Sequence, residues 1–148
     1  MDDLVAALLK RPAHISRAYD IPYIAGYSEG GDTIYIDRHM PLSFRFEGTT
    51  VETDRFLVVH EVVEKALLDQ LHLHYLHAHQ IALRTEQAAV RAAGVGWHDY
   101  NAFTEANEKS IVAELLKRVP PDLDLTPYSD EEEFALLKSL VAAERGRR

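Results

Sequence analysis

Phe56-Leu57-Val58-Val59-His60-Glu61-Val62-Val63-Glu64-Lys65-Ala66-Leu67-Leu68 is the stretch on which the reading of this chain turns. Phe56, Val59, Val63 and Leu67 recur at the spacing of one helix face, and Thr53 or Asp54 stands where an N-cap belongs. The pattern predicts a helix from there to about Leu71. On it His60 and Glu64, four apart, share a face at the edge of the apolar stripe, with Glu61 beside them. Burying an imidazole and a carboxylate without partners costs on the order of several kcal/mol, and a divalent cation compensates both at once. The plainer alternative is an i,i+4 helix pair worth a few tenths of a kcal/mol.

A second helix is predicted from about Tyr75 to Ala93, ending at Gly94, a residue suited to the left-handed position after a helix. The short connection from Leu71 to Tyr75 favours antiparallel neighbours. His79 and Glu86, two turns apart, share a face with Ala82, Ala89 and Ala93, and small residues there let the first helix come close. His79 is thereby carried toward His60 and Glu64. His72, His74 and His77 cluster at the turn and stand as alternatives to His79, although each reads more simply as a polar loop residue. His77 and His79, two apart, cannot face the same way. His79 is preferred because it alone shares a face with Glu86.

Further out, a third helix spans about His98 to Val119, stopped by Pro120-Pro121. Ser129-Asp-Glu-Glu132 reads as a capping box opening a last helix to about Arg145, and residues 2–10 read as a short amphipathic helix stopped at Arg11-Pro12. Ile21–Tyr27 and Thr33–Asp37, separated by Ser28-Glu-Gly-Gly-Asp32, give a β-hairpin signal. Ser43–Val51 alternates and is either a third short strand or a loop, and 120–128 is an extended connector. The fold class is α+β: a small antiparallel hairpin or sheet packed on a mainly helical body, in one domain over 1–148.

Composition narrows the chemistry. The 148 residues include no cysteine, which excludes disulfides, thiolate zinc sites and iron–sulfur clusters. Any metal is held by His, Asp, Glu or backbone oxygen. A net charge of −8 argues against nucleic-acid or anionic-membrane partners. No apolar run reaches the length of a membrane span, and the acidic start, Met1-Asp-Asp-Leu, is unlike a signal peptide. The expected location is the cytoplasm.

His60-Glu61-Val62-Val63-Glu64 reads as H-E-x-x-E, one letter from the H-E-x-x-H of zinc peptidases. With the hairpin upstream and His79 downstream, residues 21–93 resemble the zincin metallopeptidases of the His₂Glu type. The resemblance implies one Zn²⁺ per chain held by His60, Glu64 and His79, the ligand set in permuted order, and Glu61 as the general base that polarises the attacking water. Glu86 is then a partner orienting His79 or a fourth ligand. The strand Thr33–Asp37 would be the edge strand along which an extended peptide or protein substrate pairs. The departure from the family lies at Glu64, where its second helix ligand is ordinarily His. The pattern also resembles small phage and prophage proteins, which implies a virion-associated location as the alternative.

Two classes of function follow: a zinc-dependent hydrolase, most simply a metallopeptidase, or a non-catalytic structural or binding protein stabilised by a closed metal site. Glu86 as a fourth ligand would favour the second. A di-iron bundle wants two Glu-x-x-His elements, which only Asp69-x-x-His72 approximates, and no Gly-x-Ser-x-Gly nucleophile elbow is present. His98 or Tyr100 is a candidate oxyanion donor. Trp97 reads as a core anchor, and Asp37 as a residue turning the chain toward Pro41.

Overall fold

The computed structural model describes residues 14–113 and 116–128. The helices expected over 2–10 and 129–145 lie outside the described residues. Those described form an α+β fold of five short strands followed by three helices: β1 His14–Ser16, β2 Ala25–Tyr27, β3 Thr33–Ile36, β4 Ser43–Phe46, β5 Thr49–Glu52, α1 Asp54–Leu71, α2 Tyr75–Ala92 and α3 Trp97–Val112.

The expected hairpin is present as β2 and β3, antiparallel with Gly26 opposite Tyr35. Its first strand is shorter than the apolar run, because Tyr23 and Ile24 adopt φ of 67° and 155°, which breaks the extended run. The sequence did not disclose β1, which pairs parallel to β3 with Ile15 opposite Ile34. β3 is therefore the central strand of three. That corrects the expectation that Thr33–Asp37 forms an edge open to a peptide: both its sides are taken. Ser43–Val51 holds two strands rather than one, since β4 and β5 close through Glu47-Gly48. Both turn residues have positive φ, 49° and 79°, as a two-residue primed turn demands.

α1 lies at the centre. Val58 and Val62 pack on Tyr27 and Ile34 of the sheet, Leu57 on Ile24 and Ile36, and Phe56 on Tyr100 of α3. The helix is thus covered on more than one stripe: 56–58 and 60–66 are buried, whereas Val59 and Leu67 are only half-buried. Thr53 precedes the helix as expected, but its hydroxyl bonds the Leu42 carbonyl at 3.3 Å instead of capping. Asp54 in the first turn makes a two-pronged pair with Arg17, at 2.7 and 3.0 Å, and a negative charge there suits the helix dipole.

At its other end α1 stops at His72, left-handed at φ 52°, whose amide returns to the Leu67 carbonyl. His74 then caps α2, its Nδ1 accepting from the Leu76 amide at 3.2 Å. His60 meets Glu86 and Glu64 meets His79, so α1 and α2 run antiparallel.

α3 ends at Val112, earlier than the expected Val119. Residues 116–119 are not helical because a competing partner takes their backbone. The buried Asp20 carboxylate accepts the amides of Lys117 and Arg118 at 2.9 and 2.8 Å, and the Asp20 amide donates to the Arg118 carbonyl at 2.6 Å. The chain beyond is stitched to the sheet: the Asp124 amide donates to the Tyr27 carbonyl at 2.8 Å, and Lys65 on α1 reaches Asp124 at 2.7 Å. This brings Tyr128, in a 3₁₀ turn over Thr126–Tyr128, against the β2 side of α1.

Candidate metal centre

Leu57, His60, Glu61 and Glu64 stand at i, i+3, i+4 and i+7 on α1, one helical stripe, and all four line a cavity of about 440 Å³. From α2 the stripe of His79, Leu83 and Glu86 faces the same space. Of the small residues expected to let the two helices approach, Ala82 is fully buried, with Ala78 beside it, whereas Ala89 is half-buried and Ala93 is exposed beyond the helix end.

Three donor atoms converge there. His60 Nε2 lies 3.2 Å from Glu64 Oε2 and 3.3 Å from His79 Nδ1, and His79 Nδ1 lies 2.9 Å from Glu64 Oε2. Tetrahedral zinc with ligand bonds of about 2.0–2.1 Å separates its donors by roughly 3.3–3.4 Å. The triangle is slightly tighter than that and would open by a few tenths of an ångström around an ion. Two imidazole nitrogens and one carboxylate oxygen are a donor set that zinc accepts.

Glu86 is elsewhere. Its Oε1 is 2.7 Å from His60 Nδ1, the ring nitrogen opposite the donor triangle, and it is outside the three-donor group. The sequence left it as a fourth ligand or as a partner of His79; the structure makes it the partner of His60. A carboxylate only accepts, so His60 Nδ1 carries the proton and Nε2 is turned to the triangle. Tyr100 donates to the other Glu86 oxygen at 2.6 Å, and Tyr27 donates to Glu64 Oε1 at 2.7 Å. Each carboxylate is thus held by a buried phenol. Burial and the neighbouring carboxylates push both phenols far above their ordinary pKa, so they remain donors.

The electrostatics show what the triangle lacks. With Nδ1 protonated toward Glu86, a neutral His60 would aim the Nε2 lone pair at the Glu64 carboxylate. A positive charge must sit between them, either a proton or a metal ion. Burial opposes a charged imidazole, but the hydrogen bonds to Glu64 and Glu86 outweigh it and hold His60 well above its usual pKa. Burial likewise opposes the Glu64 charge, and the bonds from His60, His79 and Tyr27 win, holding it below the usual carboxylate range. Glu61 goes the other way: burial first, then the Glu64 charge, raise its pKa, with His60 opposing. Two carboxyls three residues apart on one helix are thereby driven in opposite directions, the arrangement of an acid–base group beside a permanent anion.

The alternatives are placed elsewhere. His72 and His77 are exposed and His74 serves as the α2 cap. His98 is exposed and outside the cavity wall, and the Tyr100 hydroxyl is committed to Glu86, so neither serves as oxyanion donor. Trp97 packs half-buried against Tyr100 while also lining the cavity. Asp37 does turn the chain, accepting the amides of His39 and Ile21, each at 2.8 Å.

Sequence reasoning missed Tyr27 as the Glu64 donor, and also Tyr75, whose hydroxyl is 3.4 Å from His79 Nδ1. It missed Tyr128 in the cavity wall as well. Tyr75, four residues before His79 on α2, was the one with a readable signal. No family model, curated protein or solved structure matches this chain.

Proposed function

We propose that the protein is a zinc-dependent hydrolase, most simply a small metallopeptidase, with His60, Glu64 and His79 as ligands and Glu61 as general base. The observation that carries this reading is the convergence of His60 Nε2, Glu64 Oε2 and His79 Nδ1 on one point of a cavity wall, with Glu86 turned away from it. Three protein donors beside a cavity leave a coordination position open, the mark of catalytic rather than closed structural sites. A bound zinc ion supplies Lewis acidity, polarising a carbonyl and acidifying water.

The residues do the rest. Glu61, beside the ligands and facing the cavity, takes a proton from the attacking water and delivers it to the departing amine. Its place in the cavity wall, next in sequence to His60, puts it within reach of both groups. Glu86 and Tyr100 fix the His60 ring with Nε2 forward, and Tyr27 fixes Glu64 so that Oε2 is presented. Leu57, Leu83 and Trp97 supply the apolar part of the wall.

Elemental analysis of the purified protein and of two variants tests this. The parent holds about one zinc per chain, His60→Ala holds none, and Glu61→Gln keeps the zinc while losing turnover of peptide substrates by a factor of about 10²–10⁴. A parent that takes up no zinc when it is offered returns His60 and Glu64 to a proton-held buried pair. Full activity in zinc-loaded Glu61→Gln removes the base from the mechanism.

A further inference from the structure

The part of the cavity wall that α3 contributes has a character of its own. Asn101, Thr104, Glu105 and Glu108 succeed one another at i, i+3, i+4 and i+7 along α3, so one face of that helix is turned to the cavity. Among the described residues the lining includes five glutamates, Glu61, Glu64, Glu86, Glu105 and Glu108, and no lysine or arginine. Glu64 and Glu86 are engaged by the histidines and by Tyr27 and Tyr100, and a divalent ion offsets two negative charges. Glu105, on the α3 part of the wall, lies outside that balance.

A second, independent feature points to an occupant. The Glu61 carboxyl is nine-tenths buried and faces the same space, and no described residue donates a hydrogen bond to it. The carboxyl is therefore open to the cavity and available to whatever enters it. Glu105 is exposed at the wall, with one oxygen taking a 3.1 Å bond from Asn101 Nδ2 that orients it without neutralising it. Apolar surface from Leu76, Leu83 and Trp97 lies within the same lining. A long aliphatic stem ending in a positive charge matches both surfaces, and an aromatic ring beside it adds a cation–π contribution.

We infer that the cavity selects substrates carrying a lysine- or arginine-like side chain, its stem on the apolar wall and its charge directed to Glu105 on α3. This rests on the metal-site reading above, since the ion places the scissile group and so sets where the side chain falls.

Three probes share one zinc-binding head and differ only in side-chain charge: the α-hydroxamates of N-acetyl-lysine, N-acetyl-norleucine and N-acetyl-glutamate. Their affinities for the zinc-loaded protein are measured by calorimetry, with the zinc content of every sample determined alongside. Lysine is expected to bind about tenfold more tightly than norleucine, with glutamate weakest, and the spread to shrink at high salt. Glu105→Gln brings lysine and norleucine to near equality, and Glu105→Lys reverses the order. Equal affinities in a zinc-loaded parent, or an order indifferent to both Glu105 substitutions, overturn the inference while leaving the metal site standing. A parent without zinc takes the metal reading away, and this one with it.

Discussion

Two places in the molecule bring three candidate metal donors within reach of one another: His60, Glu64 and His79 on the helical hairpin, and Asp20, Asp37 and His39 beside the sheet. They differ in what already occupies the acceptors. In the second cluster the backbone fills them. Asp20 takes the amides of Lys117 and Arg118 and the Arg38 guanidinium at 2.6 Å, and Asp37 takes the amides of Ile21 and His39. In the first cluster no backbone amide reaches the triangle among the described residues, and His60 Nε2, Glu64 Oε2 and His79 Nδ1 have chiefly one another. Proximity of ligand types therefore does not define a site. What sets the first cluster apart is that its three atoms lean on side chains alone, chiefly one another.

The contrast breaks most visibly on zinc. Glu64→Ala should weaken zinc binding by about a thousandfold or more, given the roughly 10–16 kcal/mol carried by a full ligand set, whereas Asp37→Ala should leave the zinc stoichiometry unchanged. Competition with a chelating dye measures both. Zinc lost in Asp37→Ala, with the fold intact by circular dichroism, would merge the two clusters into one kind.

Glu86→Gln sharpens the comparison from behind the His60 ring. Losing the carboxylate that fixes the ring should cost about 10- to 100-fold in zinc affinity. Tyr100→Phe, which frees one oxygen of Glu86, should cost less. An effect on thermal stability alone would make Glu86 a packing residue.

In the second cluster the effect should fall on folding. Asp20→Ala leaves two amides without their acceptor and should destabilise the chain by about 2–3 kcal/mol in urea titrations, with zinc affinity unaltered. The pH dependence follows from the same residue. Burial opposes the Asp20 charge, but the amides of Lys117 and Arg118 and the Arg38 guanidinium prevail and hold its pKa below the ordinary 3.8. Its contribution is therefore complete above that value and lost as pH falls through the depressed one. Melts at pH 5 and pH 3 should differ less for Asp20→Ala than for the parent, and an equal loss in both would place the acid sensitivity elsewhere.

The sequence disclosed most where the signal was local. The 3.6-residue period gave α1 and α2 to within a residue or so, and the shared faces of His60 with Glu64 and of His79 with Glu86 followed from it. It failed where distant chain decides. Nothing near 116–119 shows that Asp20, almost a hundred positions earlier, will hold those amides out of a helix. Nothing in His14–Ser16 announces a parallel partner on β3. Tyr27 and Tyr100 likewise reach the site through tertiary packing, which spacing along one helix cannot encode. The role of Glu86 was narrowed to two choices and needed coordinates, because ring orientation decides which histidine it serves.

The donors and their nearest support, His60, Glu64, His79 and Glu86, all lie on two antiparallel helices joined by the three residues 72–74. Closing so short a connection costs little chain entropy, and contacts between sequence neighbours form early. The helical pair can therefore assemble its polar centre before β2 brings Tyr27 and α3 brings Tyr100. The pairing of these histidines and glutamates is thus a local matter of one helical hairpin, and the phenols that steady Glu64 and Glu86 come with the layers packed around it.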